Sequence, residues 1–421
     1  MKLVKALIAL YILASFITRP ILPEGSFLGR FVLADFFGLA ATVLFFLNNR
    51  SLLKNKAYTA FLFFLIALFI GTTASDFLGT SIGEVIILLF LLVVSQVIYS
   101  TYAKPHDAIQ LFILLSWVNL IASSIGIYDS YFTSIGFPRI FPARADGEAL
   151  SGFRNAGQAG AYIEITLFTC YAFFKTKLFH SLSKFERNQF RVSLVITFLF
   201  FVLTGKVAAY IGGAIGVLLY LVMKRRLSSF ITVAVLFVAL VYVFNELPSI
   251  APQINKRIFS KVRTRILEPM DMTETKGAVN GTGFINKNFE SALNSFYDNP
   301  IAGSGIGGFL GRYERHEVHS SYLKIIGETG LLGIITYSVF MFFFLKMLFG
   351  FKQHLPETDP NHAWFAFLME IRPFVIGWLI SWAYTYHLRK REFWLAFAIL
   401  SIAHWIVADA MKQTKLKSEN E

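Results

Sequence analysis

Apolar residues run along this chain in long blocks, with polar residues collected between them. A helix needs about 20 mainly apolar residues to cross a membrane. Twelve segments meet or approach that length: 3–20, 30–47, 57–73, 82–100, 108–127, 157–174, 190–204, 207–223, 229–247, 331–349, 373–387 and 393–410. Segments 57–73 and 190–204 are among the short ones. The first block, LVKALIALYILASFIT, has the length of a signal-peptide core. It lacks a small-x-small cleavage site and is followed by many more blocks, so it is counted as the first helix. The pattern predicts an all-α integral membrane protein of about 12 transmembrane helices.

Two polar stretches interrupt the blocks for longer than a tight turn requires. One runs from Pro248 to Val318, the other from Tyr128 to Asn155. A connection of about 70 residues in a helical bundle is uncommon unless it carries function. The chain therefore divides into helices 1–9 over 1–247, a long loop over 248–330, helices 10–12 over 331–410, and a tail over 411–421. No heptad, low-complexity tract or short-period repeat is present.

Composition agrees with this pattern. Of 421 residues, 55% are hydrophobic and 15% charged, against roughly 45–50% and ~25% in soluble domains. This excludes a cytosolic enzyme, a secreted disulfide scaffold and a disordered hub. One cysteine, Cys170, allows no intrachain disulfide. The net charge of +13 would raise nucleic acid in a soluble protein, but no basic domain is present to bind it. In a membrane protein, positive charge marks the cytoplasmic loops. With the N-terminus inside, those loops hold Arg50, Lys54 and Lys56, then Lys104, then Lys175 to Arg191, then Lys224 to Arg226, with Lys412, Lys415 and Lys417 in the tail. The long loop then faces away from the cytoplasm. Arg389, Lys390 and Arg391 break the rule: they would face outward between the last two helices.

The long loop holds the candidate chemistry. It opens with Lys256, Arg257, Lys261, Arg263 and Arg265. Outward positive charge fits either an anionic group such as a phosphate or anionic lipid headgroups. In FINKNFESALNSFY (284–297), Ile285, Phe289, Leu293 and Phe296 recur at helical spacing, which predicts a short amphipathic helix ended by Asp298-Asn299-Pro300. GSGIGGF (303–309) matches G-x-G-x-x-G. It lacks the strand and βαβ unit that a dinucleotide site needs, which leaves a plain turn or a close approach to a bulky or anionic partner. In RYERHEVHSSYLKIIGETGLLG (312–333), His316 and His319 are one residue closer than in the zinc-protease pattern. No third ligand stands out, so no metal is expected. Ser320-Ser321 reads as an N-cap, with a short helix to Glu328 and Gly330 ending it before the next span. That puts His319 at the mouth of a bent entry into the membrane, with Arg312 and Arg315 just before it.

The stretch NPIAGSGIGGF followed by HEVHSSYLKIIGETGLLG resembles the signature of the O-antigen ligase and polymerase superfamily, bacterial inner-membrane glycosyltransferases that use undecaprenyl-diphosphate-linked glycans. Its glycine eleven residues after the histidine matches Gly330 after His319. SGFRNAGQAGAY (151–162) is similar to the family's entry to the sixth span, with Arg154 at the outer edge. LTGKVAAYIGG (203–213) occupies the place of T-G-S-R-G-x-x-L, with Lys206 for the arginine and Tyr210 for the leucine. Lysine keeps the charge but loses the bidentate fork. Ser320 stands where many relatives carry asparagine.

The resemblance implies a periplasmic long loop and transfer of a glycan from an undecaprenyl-diphosphate carrier to an acceptor hydroxyl, on a lipid A–core or similar glycan acceptor. It implies inversion and no metal or other cofactor, with membrane lipids as the surroundings. On this reading His319 is the general base, near its ordinary pKa of about 6.5. Lys206, Arg154, Arg263, Arg265, Arg312 and Arg315 are the cations for the departing diphosphate. Glu314, Glu317 and Glu328 are rival bases. A polymerase of the same superfamily would use the same donor with another lipid-linked repeat as acceptor. A secondary transporter is the alternative from another class, but the two-fold repeat and midplane charges typical of one are not evident. Asp35, Glu84, Glu164 and Asp409 are the main ionisable residues within predicted spans.

Overall fold

The computed structural model describes residues 1–18, 31–131, 137–141, 151–204, 206–224, 281–308, 320–351 and 355–420. Thirteen helices and no strand lie among them. They are α1 (Lys2–Ala14), α2 (Leu33–Leu47), α3 (Lys56–Thr72), α4 (Leu78–Thr101), α5 (Pro105–Tyr131), α6 (Ala156–Phe174), α7 (Lys177–His180), α8 (Lys184–Leu203), α9 (Val207–Lys224), α10 (Gly281–Asp298), α11 (Ser321–Phe349), α12 (His362–Ser381) and α13 (Arg391–Asn420). Six stretches, in α4, α5, α9, α11, α12 and α13, are long and apolar enough to cross a membrane. The protein is an all-α membrane protein. The expected span 229–247 lies outside the described residues.

Helix starts follow local chemistry. Asn55 and Asn155 accept from Ala57 N–H and Gln158 N–H at 2.9 and 2.8 Å. Ser183 and Glu186 form a reciprocal capping box on α8. Ser320 accepts from Leu323 N–H at 3.3 Å and starts α11, as expected from the Ser-Ser pair.

The centre of the bundle is α13. Residues Phe393 to Leu400 are all at most 4% exposed, on every face of the helix. A helix apolar all round is either lipid-bound or enclosed by protein, and this one is enclosed. Trp394 meets Phe61 of α3 at 4.7 Å between ring centroids, and Phe61 meets Phe340 of α11 at 4.9 Å. Apolar side chains of α3 such as Phe63 and Phe69 point outward instead.

The expected span 373–387 is displaced. Its helix, α12, runs from His362 to Ser381 and carries Pro373 inside it, and the next residues form a turn. That turn explains the outlying basic triplet. Arg389 Nη1 donates to Glu84 Oε1 of α4 at 2.6 Å. Arg391 forks onto Asp35 of α2, with Nε to Oδ1 at 2.8 Å and Nη2 to Oδ2. Both carboxylates are buried. Two of the four acidic residues within predicted spans, Asp35 and Glu84, are thus the partners of the two arginines.

A second closure joins the glycine segment to α11. The expected bend is present: α11 continues past Gly330, which alone departs from helical geometry at φ 56°, ψ −159°. Leu331 and Leu332 N–H donate across the bend to Pro300 and Ile301 carbonyls at 2.8 and 3.0 Å. A Cβ on Gly330 would stand 2.6 Å from Gly303 N, and one on Gly303 (φ 71°) would stand 2.3 Å from Glu328 C. The glycine segment is therefore a packing device between α3, α4 and α11. The amphipathic helix α10 also forms as expected, but small residues make its contact. Ser291, Ala292 and Ser295 are buried while Phe289 is exposed, and Ser295 Oγ donates to Gly327 O at 2.6 Å.

Asp35→Asn would leave Arg391 enclosed without the carboxylate charge it forks onto, and should lower unfolding stability by about 3 kcal/mol, read as a drop in thermal midpoint in detergent micelles. Asp35→Asn with Arg391→Met should recover part of that loss. Gly330→Ala should cost at least about 2 kcal/mol in the same assay, since that backbone conformation is nearly confined to glycine.

Candidate functional site

One end of the bundle collects the C-termini of α1, α3 and α12 and the N-termini of α2, α4, α6, α9, α11 and α13. Tyr162 and Gln158 of α6 reach Ser15 and Thr18 after α1. Ala302 touches the Gly71 end of α3. Ser321 N–H donates to Trp382 O, at 2.9 Å, after α12. The glycine segment and the turn 382–390 lie at this end.

Lys206 and Arg154 are both here. Arg154 is exposed, and its backbone N–H donates to Thr18 Oγ1 at 2.8 Å, fixing the entry to α6. Lys206, just before α9, lies across the first turns of α6. A Cβ on Gly160 would stand 2.5 Å from Lys206 Cβ, and one on Gly157 would stand 3.5 Å from its Nζ. The two glycines let the lysine stem lie flat on α6. An ammonium near a helix N-terminus adds to the positive end of the dipole. This position therefore does not favour the helix, but it does favour an anion.

The turn after α12 brings a third cation. Lys390 Nζ is enclosed and has no hydrogen-bond partner among the described residues. Its ammonium is pulled from the usual lysine range down to about 8, chiefly by burial, with Lys206 and Arg389 acting in the same direction and Glu392 and Glu164 opposing them. Lys206 and Lys390 thus feel one another. His387 in the same turn is buried, and neither ring nitrogen has a hydrogen-bond partner among the described residues. Its ring stacks on Trp382 at 5.5 Å. Burial, then Lys390 and Lys206, hold it well below the ordinary histidine range, so it is neutral.

This turn grips the start of α11. Ser321 Oγ accepts from His387 N–H at 3.1 Å and donates to Thr385 O at 2.8 Å. Tyr322 O–H donates to Leu379 O at 2.7 Å. Lys324 Nζ lies 4.4 Å from the Tyr386 ring centroid and 3.6 Å from Glu328 Oε2. Glu328, one of the rival bases, is therefore buried beside a cation.

His319, Arg263, Arg265, Arg312 and Arg315 lie outside the described residues, as do Glu314 and Glu317. Ser320, which follows His319 in the chain, is described, buried and seated at this end as the cap of α11. Lys390 and His387 were not among the expected site residues. The one signal for them in the sequence is the basic triplet that breaks the inside bias.

Lys206, Lys390 and the N-terminus of α6 gather positive charge at this end, partly offset by Glu392 and Glu164. Among the described residues, no three His, Cys, Asp or Glu side chains gather closely enough to hold a metal ion. No curated protein matches the chain. Residues 192–338 match the family model described as O-antigen ligase. That stretch contains Lys206, the glycine segment, His319 and Gly330, and it leaves Arg154 and the turn 382–390 outside. This match over residues 192–338 supports the O-antigen ligase and polymerase superfamily.

Proposed function

We propose that the protein is a glycosyltransferase of the O-antigen ligase type. It moves a glycan from an undecaprenyl-diphosphate carrier to an acceptor hydroxyl, such as one on a lipid A–core, at the periplasmic face of a bacterial inner membrane. The observation that carries this reading is that Lys206 lies across the first turns of α6, within electrostatic reach of Lys390 in the turn that grips the start of α11. In a chain whose residues 192–338 match the O-antigen ligase model, that positive charge suits a diphosphate.

In the proposed step His319 takes the proton from the acceptor hydroxyl. The acceptor oxygen forms a bond to the anomeric carbon as the bond from that carbon to the diphosphate oxygen breaks. The departing oxygen keeps the electron pair, and direct displacement inverts the anomeric centre. Lys206, Arg154, Arg263, Arg265, Arg312 and Arg315 offset the charge that grows on the diphosphate, and Lys390 joins them. These cations do the work of a metal, so transfer proceeds in a chelator. His387, enclosed and neutral, positions the turn that carries Lys390. A polymerase of the same superfamily would share the donor half of this scheme and differ in acceptor.

Purified protein given a lipid-diphosphate glycan and a set of acceptors tests this directly. His319→Ala should slow transfer by at least about 100-fold, whereas His387→Ala should slow it less. Wild-type transfer by His319→Ala would remove the general base from the scheme.

The pH profile tests the cations. A neutral base near its ordinary pKa makes the rate fall as pH drops through about 6.5. Lys390 is charged below about 8 and neutral above, so donor affinity should fall as pH rises through that value. Lys390→Arg should move the alkaline fall upward by at least about one pH unit, because arginine stays charged. An unshifted alkaline limb would mean that the charge of Lys390 is not used.

A further inference from the structure

At the other end of the bundle α6 and α9 finish, α8 begins, and a cavity of about 900 Å³ opens between α6, α8, α9 and α12. Its walls are apolar, including Leu194 and Phe198 of α8 and Val217 and Leu221 of α9. Val195, Phe198, Leu218 and Val222 are each more than half exposed, so the groove opens on a side surface suited to lipid. Its depth along α8, from Arg191 to Leu199, is about 12 Å at 1.5 Å per residue. That is close to one leaflet, half of a hydrocarbon core about 30 Å thick.

The charge of the groove is gathered at its outer end. Lys175, Arg191 and Lys224 line it there, against one carboxylate, Glu370. Lys224 is paired with Glu370. Lys175 lies over the Tyr171 ring and Arg191 over the Phe179 ring. Among the described residues neither has a carboxylate partner. The Tyr171 and Tyr220 rings meet at 5.8 Å at the same level, the interfacial position that tyrosine favours.

We propose that this groove binds one anionic diacyl phospholipid, with its acyl chains between α8 and α9 and its phosphate on Lys175 and Arg191. The depth matches one acyl layer, and the excess of cations over carboxylate at the mouth selects a negative headgroup over a zwitterionic one. This leaflet is opposite the end that carries Lys206 and Lys390, so the site is separate from the proposed donor site and does not depend on the transfer reaction.

The test uses the full chain in non-ionic detergent after lipid removal, titrated with phosphatidylglycerol or phosphatidylcholine of identical acyl chains and read by native mass spectrometry. One phosphatidylglycerol should bind at least tenfold more tightly than phosphatidylcholine. Each charge removed should cost about fivefold, so Lys175→Gln with Arg191→Gln should erase most of the preference. Lys184→Gln with Arg187→Gln, at the same end but outside the groove, should leave it intact. Leu194→Trp should weaken both lipids, read as a smaller lipid-induced rise in melting midpoint relative to the same variant without lipid. Equal binding of the two lipids would overturn the proposal. So would an equal loss in the Lys184/Arg187 pair, or an undiminished lipid response in Leu194→Trp.

Discussion

Two ion pairs, Arg389–Glu84 and Arg391–Asp35, hold the last inter-helical turn to the bundle, and the geometry at that end follows from them. A buried charge is tolerable only when its partner and its hydrogen bonds are in place. The Arg391 fork meets that condition, because Asp35 also accepts from Val32 N–H at 3.0 Å in the first turn of α2, where the helix dipole favours an acid. Once both arginines are anchored, the backbone between α12 and α13 has little freedom. His387 and Lys390 face inward, and Ser321 finds hydrogen bonds to the turn waiting for it.

The glycine segment does complementary work. Its carbonyls and those of α11 meet without side chains between them, so backbone hydrogen bonds can form across a bend that would otherwise leave polar groups unsatisfied in an apolar setting. The eleven-residue interval from His319 to Gly330 acquires a mechanical meaning. Gly330 is the place where α11 turns over Gly303, and Ser320, at the head of the same helix, is the cap gripped by the 382–390 turn. Both ends of the α11 entry segment are tied down by neighbours.

Positive charge serves the two ends differently. At the site end, Lys206 lies across the first turns of α6 and repels Lys390, and Glu392 and Glu164 offset part of that charge. At the far end, Lys175 and Arg191 stretch over aromatic rings at the edge of an apolar groove, the posture of long cationic side chains at a membrane interface. The same residue types are packed on a helix N-terminus in one place and spread over aromatic rings in the other.

The sequence determined the class of the molecule, most helix positions, the amphipathic α10, the bend at Gly330 and the Ser320 cap. Each of these depends on local composition or spacing, which a single segment carries with it. It also marked Lys206 and Arg154 as outlying cations and the 389–391 triplet as an anomaly. Only the tertiary structure decided that α13 is central, because an apolar helix reads the same against protein as against lipid. Only it paired Asp35 with Arg391 and Glu84 with Arg389, across hundreds of positions, and turned the glycine segment from a candidate anion loop into a packing joint. It moved the eleventh expected span toward the N-terminus, freeing residues 382–390 to form the turn that bears Lys390. Those facts are contacts between distant segments, and hydropathy or spacing along one segment has no term for a distant partner.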